Sequence, residues 1–204
     1  MTVLTEPALD AAPNAAMSMD AARRAMIDSQ LRPSGVNDPA VLAAFNRVQR
    51  EDFVPAAARA VAYMDRSVPL GNGRVLAPPL SHGSMLTEAA PTQADRALLV
   101  DSGSGYLAAL LAPLVGSLEV IAPGEIPQGE GYSLLLIDGA IERLPEALAA
   151  RLGDDGRVAT GLIERGVARL AVGRKVAGTV GFLTLGEADF APLREYALPA
   201  KWSF

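Results

Sequence analysis

No cysteine occurs in the 204 residues, which excludes disulfides and thiolate metal sites. Histidine occurs once, as His82, so a His-rich zinc or iron centre is excluded as well. Positive charge is short: 18 Lys and Arg face 23 Asp and Glu, and a net charge of -5 offers no basic field for a nucleic-acid partner. No apolar run approaches the ~20 residues that span a bilayer, so no membrane partner is expected. The opening stretch, MTVLTEPALDAAPNAAMSMD, lacks the basic n-region and long apolar core of a signal peptide. Residues 1–18 are expected to be a flexible Ala/Pro leader of a cytoplasmic protein. Half of the residues are hydrophobic and a fifth are charged, an ordinary balance for a soluble folded protein. The length suits one domain with a small extra subdomain and is enough to bury a sizeable core.

The first half reads as helical. Met19, Ala22 and Met26 share one helical face, and Pro33 and Gly35 in RPSG predict its end. Asp38 before Pro39 is an N-cap with proline at the first helical position, and Leu42, Phe45 and Val48 follow at helical spacing. A third short helix is expected from Pro55 to Tyr63. SVPLGNGRVLAPP changes character: short apolar pieces flank Gly71-Asn72-Gly73, which predicts an irregular hairpin. Gly83 to Ala90 reads as helix again. From Ala97 strand and helix alternate: ALLVD, a helix from Tyr106 to Val115, SLEVIA, YSLLLID, and a helix from about Glu142 with Gly153 as its C-cap. RVATGLI, VARLAVG, TVGFLTL and REYALPAKWSF are strand-like, with Gly-bearing turns. Parallel βαβ units with an antiparallel end make a mixed α/β sheet.

Between Leu98 and Val115 an apolar run meets Asp101-Ser102-Gly103-Ser104-Gly105-Tyr106 and passes into a helical run, the form of a strand–loop–helix that binds a nucleotide. Several other stretches join it in order. Val48 to Pro55 reads V-x-R-E-x-F-V-P; AYMDRSVPLGNG matches A-Y-x-D-x-x-x-P-[IL]-G-x-G; YSLLLIDGAIERLP matches I-[VL]-[VI]-D-G-A-x-x-x-[IL]-P; ADFAPLRE is similar to a closing F-V-P-L segment. Together, from about Asp20 to near the end, the chain resembles the protein-L-isoaspartate O-methyltransferase family.

The resemblance implies a Rossmann-like methyltransferase sheet with antiparallel C-terminal strands, preceded by an N-terminal helical subdomain. The boundaries are then 19–95 for the helical and hairpin part and 96–204 for the methyltransferase-type part. It implies S-adenosylmethionine as cofactor, held by Asp101, Ser102, Gly103, Ser104, Gly105, Tyr106 and Asp138, and methylation of isoaspartyl carboxylates in damaged proteins. No metal is implied, and no catalytic residue is carried over.

Three departures qualify that implication. The family's loop is an acid, an apolar residue, then G-x-G-x-G-Y; here Leu99 replaces the acid and Asp101 the first glycine. Such glycines let backbone N–H groups approach a ligand, and an aspartate adds bulk and charge where the methionyl carboxylate belongs. Asp101 binding the α-amino group instead is the alternative. Second, only Pro123 to Gly131 lies between SLEVIA and YSLLLID, where the family has a helix, a strand and an adenine-binding loop. The sheet is therefore expected to be shortened between its second and fourth strands, because nine residues reach at most ~30 Å and build no wall around adenine. Glu119 or Glu125 is the candidate for a surviving ribose acid. Third, the family's substrate-loop T-I-S reads Val75-Leu76-Ala77, and loss of donors aimed at a reacting oxygen costs ~10²–10³ in rate.

The expected function is thus that of a degenerate family member with weak or absent cofactor binding. The alternatives are an active carboxyl methyltransferase completed by another subunit and a non-catalytic peptide-binding module. A second copy, or a peptide or protein partner, is expected to cover sheet surface left bare by the deletion. Asp138 either faces the cofactor or caps the following helix. His82 is a base or, as the blander reading, a surface or packing residue. Tyr63 and Asp65 are expected to seat the hairpin, and Arg174-Lys175 to be solvated turn charges. Ser102 or Ser104 as a hydrolase nucleophile has only His82 to complete a triad and lacks the G-x-S-x-G elbow.

Overall fold

Side-chain caps start the first two helices. The computed structural model describes residues 18–198, and the expected leader lies, but for Ser18, outside them. Ser18 accepts from Ala21 N–H at the head of α1 (Met19–Met26). Asp38 accepts from Ala40 and Val41 N–H at 2.8 and 3.0 Å, with Pro39 opening α2 (Pro39–Arg47). The predicted stop before Arg32 comes later than expected. A wide turn over Ile27–Leu31 and a tight one over Arg32–Ser34 carry the helix to Gly35, whose φ of 95° reverses the chain. Pro33 is tolerated because it stands in the first turn of that tight segment.

The hairpin is present as β1 (Val68–Gly71) and β2 (Arg74–Leu76), antiparallel, and α3 (Pro79–Ala89) follows it. Next come β3 (Arg96–Val100), α4 (Tyr106–Leu111), β4 (Ser117–Ile121), β5 (Tyr132–Ile141), α5 (Glu146–Arg151), β6 (Leu152–Glu164), β7 (Val167–Val176) and β8 (Thr179–Glu187). Six strands form one sheet in the order β4-β3-β5-β6-β7-β8, parallel up to β6 and antiparallel beyond it. Ten residues, 122–131, join β4 to β5, with no further helix or strand. The expected shortening is real.

Alternation along β3 divides the core. Ala97 and Leu99 face α1–α4, whereas Leu98 and Val100 face α5 and the C-terminal segment with Leu148, Leu193 and Tyr196. The crossovers through α4 and α5 therefore lie on opposite faces, and the direction of winding reverses between β3 and β5. In an open parallel sheet that reversal leaves a crevice beyond the strand ends, where ligands bind.

Four local expectations need correction. β5 runs on to Ile141, so the next helix begins at Glu146 behind Pro145, not near Glu142. Gly153 is no C-cap; it enters a bulge of β6 between the pairs Tyr132–Leu152 and Leu134–Arg157. The closing REYALPAKWSF forms a single turn at Arg194–Tyr196, not a strand, and residues 199–204 lie outside the described ones. Lys175 is no free turn charge, because its ammonium donates to the carbonyls of Ala149 and Leu152.

Candidate functional site

The ladder between β3 and β5 ends at the pair Val100–Ile137, and the next residue on each strand is an aspartate. Asp101 turns into its own loop. One carboxylate oxygen accepts from Gly103 N–H at 2.9 Å and the other from Gly105 N–H at 2.8 Å. Both glycines have left-handed φ, 107° and 71°, which aims their N–H groups back at Asp101. Burial pushes the Asp101 carboxyl up from its ordinary value, and the nearby charge of Asp138 adds to the rise, against the backbone hydrogen bonds. Ser104 accepts from Tyr106 N–H at 3.1 Å at the head of α4, whose N-cap is Gly105. Tyr106 itself is fully buried, with its ring edge-on to Phe53 (centroids 5.4 Å apart) and under the Arg50 guanidinium at 4.8 Å.

Asp138 points inward. It pairs with His82 Nε2 at 2.8 Å and accepts from the Ser102 hydroxyl at 2.9 Å, and all three are buried. Nε2 faces the carboxylate, and Nδ1 on the other side of the ring is buried without a partner. His82 is thus fully buried against Asp138. Asp138 does not cap α5, whose first turn has no side-chain cap. Ser102 bonds to Asp138 and not to His82, so no Ser–His nucleophile pair forms.

Above Ser102 and Asp138 lies a cavity of about 20 Å³, roofed by Gly73, Arg74 and Val75 of the hairpin and by Phe190 and Leu193. That is room for about one water molecule. Larger clefts lie elsewhere, such as one of about 420 Å³ lined by Asp65, Ser84, Glu88, Leu185 and Asp189. The segment Asp189–Glu195 closes tightly: Ala140 N–H donates to Ala191 O and Leu193 N–H to Ala140 O, each at 2.8 Å. A Cβ on Gly139 would stand 2.5 Å from Leu193, so glycine is what lets this segment lie down.

Glu119 is spent on the connection 122–131. It accepts from Gln128 N–H at 2.7 Å, from Gly129 N–H and from the Tyr132 hydroxyl, which holds its carboxyl below the ordinary value. Glu125 accepts from Ala122 N–H within its own turn, and Tyr196 receives Gly124 N–H at 3.0 Å. Neither acid stands free at a strand end. Leu99 is fully buried in the core.

Arg50, inside the Val48–Pro55 stretch, has no partner that sequence spacing reveals. Its guanidinium is wholly buried and donates to Ala62 O at 2.7 Å and Ala77 O at 2.6 Å, fixing the chain that leaves the hairpin. Asp65 accepts from Leu80 N–H at the start of α3, and Tyr63 joins Glu51 and Arg23 among the N-terminal helices. Their anchors are therefore helices more than the hairpin itself.

The family model described as protein-L-isoaspartate(D-aspartate) O-methyltransferase matches residues 21–128, and the match ends inside the β4–β5 connection. The protein-L-isoaspartate O-methyltransferase of Methanoculleus marisnigri is 30% identical over 199 residues, covering 84% of this chain and 90% of that one. That of Koribacter versatilis is 31% identical over 204 residues, covering 86% and 91%. The chain belongs to the protein-L-isoaspartate O-methyltransferase family. Among solved structures, a putative family member from Plasmodium falciparum, in complex with S-adenosyl-L-homocysteine, has a TM-score of 0.70 at 18% identity. It covers 85% of this chain and 98% of its own length, and shows the shared isoaspartyl-methyltransferase fold. Among the described residues no helix is long and apolar enough to cross a membrane.

Proposed function

We propose that this chain is a non-catalytic member of the family, whose cofactor loop is closed by its own side chain and which does not transfer methyl groups. One observation carries the reading: the Asp101 carboxylate occupies both the Gly103 and the Gly105 N–H groups. A donor already engaged at 2.8–2.9 Å by an internal carboxylate is not offered to an external one. The rest of the site agrees. Leu99 brings no acid, residues 122–131 build no adenine wall, and the space over Asp138 is of one-water size, against ~300–1,000 Å³ for an ordinary ligand pocket. The residues present do not fit S-adenosylmethionine. Val75, Leu76 and Ala77 add no hydroxyl that would orient a substrate carboxylate.

Titration calorimetry tests this directly. S-adenosylhomocysteine and S-adenosylmethionine are expected to give no heat, and an isoaspartyl peptide no methyl ester. A Kd below ~100 μM, about 5–6 kcal/mol of binding, overturns the proposal. Methyl transfer overturns it too and establishes the family activity.

A further inference from the structure

The tip of the hairpin carries a reactive dipeptide. Asn72 and Gly73 form its two-residue turn, both with left-handed φ (51° and 74°), and both are exposed. A Cβ on Gly71 or Gly73 would meet nothing within 4 Å, so the turn is uncrowded. The next residue, Arg74, pairs with Glu195 at 2.7 Å, and Ser67 at the other root donates to Asp189 at 2.8 Å. These two contacts strap the hairpin to the segment that closes the cleft.

We propose that Asn72 is a site of spontaneous deamidation to isoaspartate, and that the product loosens this strap. The Gly73 amide nitrogen attacks Asn72 Cγ, a C–N bond forms, and the side-chain amide leaves as ammonia after taking up the nitrogen's proton. Water then opens the resulting succinimide. Where it adds at the former backbone carbonyl, the bond from that carbonyl to Gly73 nitrogen breaks and the chain runs on through Cγ. Glycine at 73 leaves the attacking nitrogen unhindered.

Among the described residues, other positions lack one requirement or another. Asn37 and Asn46 precede Asp38 and Arg47, whose side chains crowd the nitrogen, and Asn46 lies inside α2. Asp138 precedes Gly139, but its carboxylate is buried between His82 and Ser102. Asp155 precedes Gly156 at an exposed left-handed turn, yet an ionised carboxylate has no leaving group comparable to ammonia.

Isoaspartate at 72 adds one backbone methylene to the turn and places a carboxylate two residues from Arg74. That carboxylate competes with Glu195 for the guanidinium, and the longer turn no longer suits the Gly71–Arg74 register. The proposal is independent of whether the cofactor loop is closed.

The test uses the full chain, aged at physiological temperature and mildly alkaline pH and then cut with trypsin. The peptide Ser67–Arg74 is expected to gain one mass unit and split into aspartyl and isoaspartyl forms, while the peptide Ala25–Arg47, which carries Asn37 and Asn46, keeps its mass. The isoaspartyl form accepts methyl from an active isoaspartyl methyltransferase added as reagent. Amides 73–75 of the aged protein should exchange up to about fivefold faster, the equivalent of losing an exposed ion pair. If Ser67–Arg74 keeps its mass in the folded chain while the same free peptide deamidates, the turn protects Asn72 and the proposal fails. Deamidation with unchanged exchange overturns the loosening.

Discussion

Replacing Asp101 by alanine tests whether the carboxylate holds the loop. The change orphans two N–H groups. Gly103 is exposed and its amide finds water, whereas the bond from Gly105 is partly shielded and its loss is not fully compensated. A side-chain oxygen that gathers amides ahead of a helix is worth ~0.5–2 kcal/mol. Removing the charge also relieves its burial and its repulsion from Asp138, which together raise its pKa. The net expectation for Asp101→Ala is a loss of about 1 kcal/mol, or ~2–4 °C in Tm for a chain of this size.

The pH dependence gives a second handle. A raised carboxyl pKa means that the folded chain binds the proton more tightly than the unfolded one. Stability contributed by Asp101 therefore falls as pH rises from the ordinary aspartate range through the raised folded value. It is level above that window, and Asp101→Ala removes the slope. Urea denaturation of both proteins across that range is the assay. An alanine variant as stable as the parent at neutral pH, with the slope intact, refutes the argument that Asp101 organises the loop.

His82→Ala strips a buried carboxylate of its imidazole partner and leaves a cavity, and should cost ~3–5 kcal/mol in chemical denaturation. Ser102→Ala, removing one neutral donor to the same carboxylate, should cost only ~1–2 kcal/mol, and equal costs would contradict the assigned roles. Gly139→Ala pushes a methyl into Leu193 and should cost ~1–3 kcal/mol; hydrogen exchange should rise first at Ala140 and Leu193, whose amides tie the closing segment. Asp95 is buried, which opposes its charge, but Arg157, Ser133 and Thr92 hold its carboxyl below the ordinary value. Its contribution is full above the ordinary aspartate range and is lost as pH falls through the depressed value. Arg157→Ala should flatten that acid-side slope in a denaturation series.

Local codes made much of the fold legible. Asp38-Pro39 marked a helix start, Gly71-Asn72-Gly73 a hairpin, and the apolar runs at Leu98 and Leu134 two buried parallel strands. The short Pro123–Gly131 link showed that no helix and strand stand there, because its length forbids them. Boundaries failed where tertiary contacts decide. β5 outruns its aspartate because residues beyond Asp138 pair with β6 and with the closing segment. The site was half legible. Asp101 stood out as a misfit in a glycine loop, but nothing in sequence says that its two oxygens turn back onto Gly103 and Gly105. His82 and Asp138 lie 56 positions apart, and Arg50 reaches carbonyls 12 and 27 positions away. No period or spacing encodes such meetings.

A parallel sheet whose strand-end crevice loses its ligand has a physical problem: loop amides, buried acids and apolar edges remain unsatisfied. Here each has an internal partner. Asp101 takes the loop amides; His82 and Ser102 take Asp138; Glu119 and Tyr196 pin the short connection; Phe190 and Leu193 roof the remaining space. On the proposed reading these are compensations of one kind, protein groups standing where ligand groups would stand. That reading orders the variants above. Those that disturb the closure lower stability, and none of them alone creates a cofactor site, because the adenosine wall is absent from the sequence. Asp101→Gly with Leu99→Glu restores the loop pattern but not that wall. It is therefore expected to leave S-adenosylhomocysteine binding below detection in calorimetry, and clear binding by this double variant would show that Asp101 and Leu99 are the whole barrier.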